Sequence, residues 1–161
     1  MARYETGMCG IAAIFAYRAS APGVVVDELV KINQAMIRRG PDGGSHWISD
    51  DSRVGLAHRR LAIIDPDPRA NQPMVVDQRY WITFNGEIYN YRALRTALMD
   101  EGVAFTTESD TEVILLMYQK YGTSFLKFLN GMFSIIIYDT KTNDIFIARD
   151  RLGIKPLYYT N

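Results

Sequence analysis

The chain has little that could staple it, bind a metal or carry it into a membrane. Among its 161 residues there is one cysteine, Cys9, so no intramolecular disulfide can form and a reducing cytoplasm is the expected compartment. One Cys and two His, His46 and His58, cannot supply a structural zinc site, and no metal is expected. Charge of one sign is also missing. Eighteen basic and eighteen acidic side chains cancel, which gives no footprint for nucleic acid or an anionic membrane surface. No apolar run is long enough to span a bilayer, and Met1 to Met8 lacks the apolar centre of a signal peptide. Internal repeats and low-complexity segments are absent too. What remains is a globular composition, 48% hydrophobic, and a length suited to one domain.

The pattern of apolar residues divides this length into strands and helices. CGIAAIFA, Cys9 to Ala16, reads as a strand. Leu29, Ile32 and Met36 then recur at helical spacing and predict a helix over 27–39, capped by Asp27 and stopped by Gly40 and Pro41. Strands are expected at His46 to Ile48, Gly55 to Asp65 and Tyr80 to Phe84, with a loop from Asp65 to Pro73. A helix follows from Tyr91 to Glu101 with Gly102 as its stop. The next opens on the capping-box pattern Ser109-x-x-Glu112 and closes at Gly122. Phe125 to Leu129 suggests a short helix. Phe133 to Tyr138 and Ile145 to Arg149 predict a hairpin, and the all-apolar FSIIIY implies a strand covered on both faces. Leu157 to Thr160 looks like an unfinished strand. Helices among antiparallel strands give a layered α+β domain.

Four places in this pattern could carry chemistry. Taken alone, Cys9 reads more readily as a small buried hydrophobe than as a nucleophile, but its place at the head of the first strand, after Met8, shifts the balance toward the nucleophile. If it became the first residue, its α-amine, which titrates at about 7.7–8.0, could accept the thiol proton without any histidine. His46 and His58 are therefore read as satisfied core residues. Asn85-Gly86 reads as a tight turn at a strand end, able to aim a side-chain amide and a backbone N–H at one point, as an oxyanion requires. Arg59 and Arg60 are neighbours on a strand and must face opposite ways, so one is expected in a cleft, where a guanidinium grips a carboxylate. Asp110 is either a helix cap or a receiver for an ammonium group.

Taken together, the segments resemble the class II glutamine amidotransferase domain, and within it the glutamine-hydrolysing asparagine synthetases. The resemblance is carried by MCGIAAIF, RRGPDG, AHRRLAIID, FNGEIYNY, SDTEVIL, GMFSIIIYD and ARDRLGIKPLYY, in order from Met8 to Tyr159. It implies a four-layer αββα sandwich of the N-terminal-nucleophile hydrolase class, with residues 9–161 forming the domain, C-terminally truncated, and 1–8 an extension. It also implies that Cys9 attacks the carboxamide of L-glutamine while its own amine acts as base. Asn85 and Gly86 would form the oxyanion hole. Arg60, with Leu61, Ile63 and Ile64 beside it, would hold the substrate carboxylate, and Glu87 and Asp110 its ammonium. No cofactor is implied for this half-reaction. ATP and magnesium belong to a synthetase domain or subunit that would receive the ammonia, and a homodimer is possible.

Two departures shape the expectation. With eight residues attached, the Cys9 nitrogen is an amide and the tail would occupy the cleft. Met8 is the favoured start, with a cleaved propeptide or an added extension as alternatives. The pyrophosphate loop of a synthetase domain is not found before Asn161, so glutaminase activity alone is expected. The competing readings are the glutaminase domain of an asparagine-synthetase-like amidotransferase acting on another carboxylate, in a polysaccharide or antibiotic pathway, and a silent fragment acting only in binding.

Overall fold

The computed structural model describes residues 8–61 and 67–160. In chain order they form β1 (Gly10–Phe15), α1 (Val26–Ala35), β2 (Gly43–Ile48), β3 (Val54–Arg60), β4 (Met74–Val76), β5 (Tyr80–Ile88), α2 (Tyr91–Asp100), α3 (Asp110–Tyr121), β6 (Gly131–Asp139) and β7 (Asp144–Arg149). Short 3₁₀ turns stand at Pro68–Ala70 and Gly122–Lys127. Residues 1–7, and the Ile63, Ile64 and Asp65 end of the third expected strand, lie outside the described residues.

Two antiparallel sheets result, ordered β1-β3-β2 and β4-β5-β6-β7. The alternation of side chains along β3 explains how the first sheet is covered. Val54 and Leu56 face the second sheet, where they pack with Ile136 and Tyr138. Gly55 and Ala57 face the other way, and their small size lets α1 come close. A Cβ on Gly55 would lie 2.8 Å from the Leu29 side chain. In the second sheet, Tyr80, Ile82, Phe84 and Ile88 of β5 join Phe133, Ile135 and Ile137 of β6 under α3. Trp81, on the opposite face, stacks on Trp47 of β2 with ring centroids 4.1 Å apart. The layers are therefore α1, sheet, sheet, then α2 with α3: the αββα sandwich expected from the sequence.

Several boundaries differ. Helix α1 is capped at Val25 with no side-chain hydrogen bond, not by Asp27, because the buried Val24 pins the entering chain two residues earlier than the polar pattern suggests. Ser109 does accept from the Glu112 N–H at 3.2 Å, but the Glu112 carboxylate turns outward from the box. It takes the N–H groups of Thr106 (2.8 Å) and Thr107 (2.7 Å), tying the preceding loop to the helix. The hairpin β6–β7 forms as expected, and Phe133 to Asp139 are all buried. Leu157 to Thr160 adopt no strand.

The stretch after β7 is organised by a single carboxylate. Asp150 is 4% exposed and accepts the N–H groups of Phe133 (3.2 Å), Leu152 (3.1 Å), Ile154 (2.8 Å) and Lys155 (2.9 Å). Burial pushes its pKa up, but these four donors outweigh burial and hold it below the ordinary carboxylate range. The loop thus closes around Asp150, with Gly153 at φ +65 completing the bend. Asp150→Ala leaves four donors without their acceptor and should lower stability by about 3 kcal/mol in urea unfolding at neutral pH. A lowered pKa stabilises the fold above the unfolded value and is lost on acidification, so the difference between variant and parent should shrink as the pH falls below about 4.

Candidate active site

The sandwich opens at the Cys9 end of β1. A cavity of about 380 Å³ lies there, lined by Cys9, Arg60, Leu61, Asn85, Gly86, Glu87 and Asp110. These residues come from β1, β3, β5 and α3 and their flanks, so the fold assembles what the sequence scatters over a hundred positions. Ile63 and Ile64 fall outside the described residues.

Cys9 immediately precedes β1, and its half-buried thiol rests on the backbone of Leu61. The Leu61 N–H donates to Sγ at 3.4 Å, and Sγ lies 3.8 Å from the Leu61 carbonyl. Burial pushes the thiol pKa up, and the Leu61 N–H and the Arg60 cation offset part of this. Met8 lines the cavity beside it.

Arg59 and Arg60 part as alternation requires. Arg59 turns to α1, where its Nε donates to the Asn33 carbonyl at 3.0 Å. Arg60 lines the cavity, its Nη1 donating to the Asp67 carbonyl (3.2 Å) and to Asn71 Oδ1 (2.6 Å). The loop thereby fixes the direction of the guanidinium.

Asn85-Gly86 corrects the sequence reading. No turn forms there: β5 runs on to Ile88, pairing Asn85 with Ser134 and Gly86 with Phe133. A turn dipeptide is overridden because β6 offers a full-length partner. Glycine is needed for close approach, since a Cβ on Gly86 would sit 2.1 Å from the Met132 carbonyl oxygen and 2.7 Å from the Phe133 Cα. Strand β4 pairs β5 only as far as Ile82, so beyond it one edge of β5 has no strand beside it. The Phe84 N–H on that edge donates to Gln72 Oε1 at 2.6 Å, and the Ile88 N–H to Asp110 Oδ2 at 3.1 Å. Antiparallel alternation turns the Gly86 N–H, between them, to the same edge and the cavity. The buried Asn85 side chain lies on the face toward the first sheet, and its amide makes no hydrogen bond among the described residues.

Asp110 is the first residue of α3, but Ser109 is the cap. Asp110 is 5% exposed, and burial pushes its pKa up to about 6 against the pull of the Ile88 N–H. Glu87, exposed, borders the same cavity. Cation and carboxylates therefore stand in one cleft with the thiol.

Neither histidine matches the expectation of a satisfied core residue. His46 is exposed on β2. His58 is buried, and burial holds its pKa down at about 4, so it is a neutral imidazole. One ring nitrogen meets the backbone of Phe84, while Nε2 has no hydrogen-bond partner among the described residues.

Gln72, Thr111 and Lys155 also line the cavity without having been singled out from sequence. Gln72 bridges β5 to α3, its Nε2 donating to Thr111 Oγ1 at 3.1 Å. A glutamine before a proline in a polar loop carries no periodic signal. Lys155 sits in a run that reads as solvent-facing. Among the described residues no group of three or more His, Cys, Asp or Glu could hold a metal ion, and no helix is long and apolar enough to cross a membrane.

Known proteins resemble this chain in sequence and fold. A family model described as the glutamine amidotransferase domain matches residues 8–161. The chain is 42% identical over 154 residues to asparagine synthetase [glutamine-hydrolyzing] 1 of Bacillus subtilis, covering 95% of this chain and 24% of that one. It is 39% identical over 162 residues to the amidase chry2 of Gibberella zeae, covering 95% and 24%. It is 38% identical over 152 residues to asparagine synthetase [glutamine-hydrolyzing] 1 of Arabidopsis thaliana, covering 94% and 25%. The chain thus spans about a quarter of the length of these relatives. Among solved structures, the glutamine phosphoribosylpyrophosphate amidotransferase from B. subtilis shares the fold, with TM-score 0.67 and 19% identity over 93% of this chain and 38% of that one. With its residues matched from Met8 to the last, the chain belongs to the glutamine amidotransferase domain family.

Proposed function

We propose that the chain hydrolyses L-glutamine to glutamate and ammonia through a thioester on Cys9. The observation that carries this reading is that a thiol, two donors and charges of both signs line one cavity. Glutamine is a zwitterion with a carboxamide at its far end. Its α-carboxylate suits Arg60 and its α-ammonium suits Asp110 and Glu87, which leaves the carboxamide carbon for Cys9. As sulfur adds to that carbon, negative charge develops on the oxygen, and the Asn85 amide and Gly86 N–H are the groups to receive it. The α-amine of Cys9 takes the thiol proton and hands it to the departing ammonia. Water then cleaves the thioester, releasing glutamate.

This chemistry requires Cys9 to be the first residue, because an amide nitrogen has no basicity. The reading therefore includes removal of residues 1–8. It extends further to a synthetase domain or subunit, using ATP and magnesium, that takes up the ammonia to amidate aspartate. The names of the relatives support that acceptor, while the amidase among them keeps another carboxylate as a second reading.

A chain made to begin at Cys9, its terminus checked by intact mass, should release glutamate from glutamine, and Cys9→Ala should release none. Equal activity with Met1 to Met8 still attached would remove the α-amine as base. Asn85→Ala should lower kcat by about 10²–10³. Arg60→Ala should mainly raise KM, because the carboxylate is held equally in ground and transition states.

Asp110 gives a second test, in pH. Its carboxyl keeps a proton up to about pH 6 in the folded chain. An unfolded Asp loses it near 4. A raised pKa favours the fold below the unfolded value, so thermal stability of the empty chain should fall as the pH rises from about 4 to 6 and then level off. Asp110→Asn keeps an acceptor for the Ile88 N–H and should flatten that slope. Glutamine affinity should do the reverse, weakening by up to about tenfold per unit below pH 6 in the parent, with no such dependence in Asp110→Asn.

A further inference from the structure

Lys155 lines the same cavity and has no part in the chemistry so far. It is 4% exposed, so its cation is withheld from water. Its placement is built, not incidental. The Asp150 carboxylate accepts the Lys155 N–H at 2.9 Å, and Ser134 of β6 donates to the Pro156 carbonyl at 3.0 Å, fixing the backbone on either side. Yet the ammonium has no ion-pair partner among the described residues, and its Nζ donates to Met8 Sδ at 2.8 Å. A thioether is a weak acceptor, a poor reward for burying a charge. Arg39 adds a second cation at the next residue, its Nε donating to the Cys9 carbonyl at 3.3 Å.

Met8 is the residue joined to the Cys9 nitrogen, so the group now touching Lys155 is the one whose loss frees that nitrogen. We infer that Lys155 is a positioning residue for the N-terminal amine of Cys9, its cation standing beside the freed amine and holding it in the neutral, proton-accepting form. The inference rests on the glutaminase reading above. Its physical content is that a second positive charge in the same cavity opposes protonation of the amine, by about one pH unit where water is partly excluded. The same field draws the Cys9 thiolate. Arg39, in the turn after α1, and Arg60 from β3 act in the same sense. Glu87 of β5, Asp110 of α3 and Asp150 beside Lys155 act against it. Burial lowers the Lys155 pKa and Arg39 lowers it further, while Cys9, Asp150 and Glu87 offset part of this and leave the net shift downward.

The test uses the chain beginning at Cys9 with ¹⁵N in the Cys9 amine. The amine is titrated by NMR beside the pH profile of kcat/KM for glutamine, in the parent, Lys155→Met and Lys155→Arg. Lys155→Met should raise the amine pKa by about one unit and move the acidic limb of the profile the same way, while Lys155→Arg stays with the parent. If Lys155→Met melts below the assay temperature, Lys155→Gln takes its place. An amine that titrates alike in parent and neutral variants overturns the inference, as does a lower kcat with an unmoved limb. A parent that titrates as expected but releases no glutamate removes the glutaminase reading and leaves the placement of Lys155 standing.

Discussion

A β-strand whose edge has no neighbour leaves alternate N–H groups facing away from its sheet, and inside a protein each needs an acceptor. Strand β5 beyond Ile82 meets this constraint within the sandwich. Gln72 answers it at Phe84 and Asp110 answers it at Ile88. Gly86 lies between them with its N–H toward the cavity. The site is built around this edge: the loop bearing Gln72, the start of α3 bearing Asp110, and the opposite sheet bearing Cys9 and Arg60 all converge on it. A longer β4 would satisfy the edge with backbone and close the cavity.

The charges follow from the same geometry. Asp110 is held in a dry place by its bond to the Ile88 N–H, and burial makes that carboxyl reluctant to ionise. A substrate ammonium would relieve the cost, which gives the proposed binding step a driving force beyond hydrogen bonding. Stability and function pull in opposite directions here, as is common where an empty site keeps polar groups in wait. The thiol of Cys9 is in a similar position, raised by burial and partly offset by Leu61 and Arg60.

Much of this was legible in the sequence, and the reasons for the rest are specific. Helix α3 was readable because Ser109 and Glu112 are local signals and Gly122 ends it at φ +53. Arg60 was readable because strand alternation admits one inward arginine of two. The extension of β5 was not, because Asn-Gly is a turn signal whose meaning depends on a β6 partner some fifty residues away. Gln72 and Lys155 were not, because a polar residue in a loop looks the same whether it meets water or a buried strand edge. Asp150 could have been suspected from Gly153 and the density of turn formers after β7, but its four bonds depend on the folded loop.

The two tryptophans have a further consequence. Trp47 and Trp81 are the only ones in the chain, and they stack on each other between the sheets. All of its indole fluorescence therefore originates at one point, with both emitters close enough to exchange excitation. Trp81 lies on β5 four residues before Asn85, roughly 13 Å along the strand. The light emitted by this chain reports on whether the two sheets are docked, and it does so through the strand that carries the site.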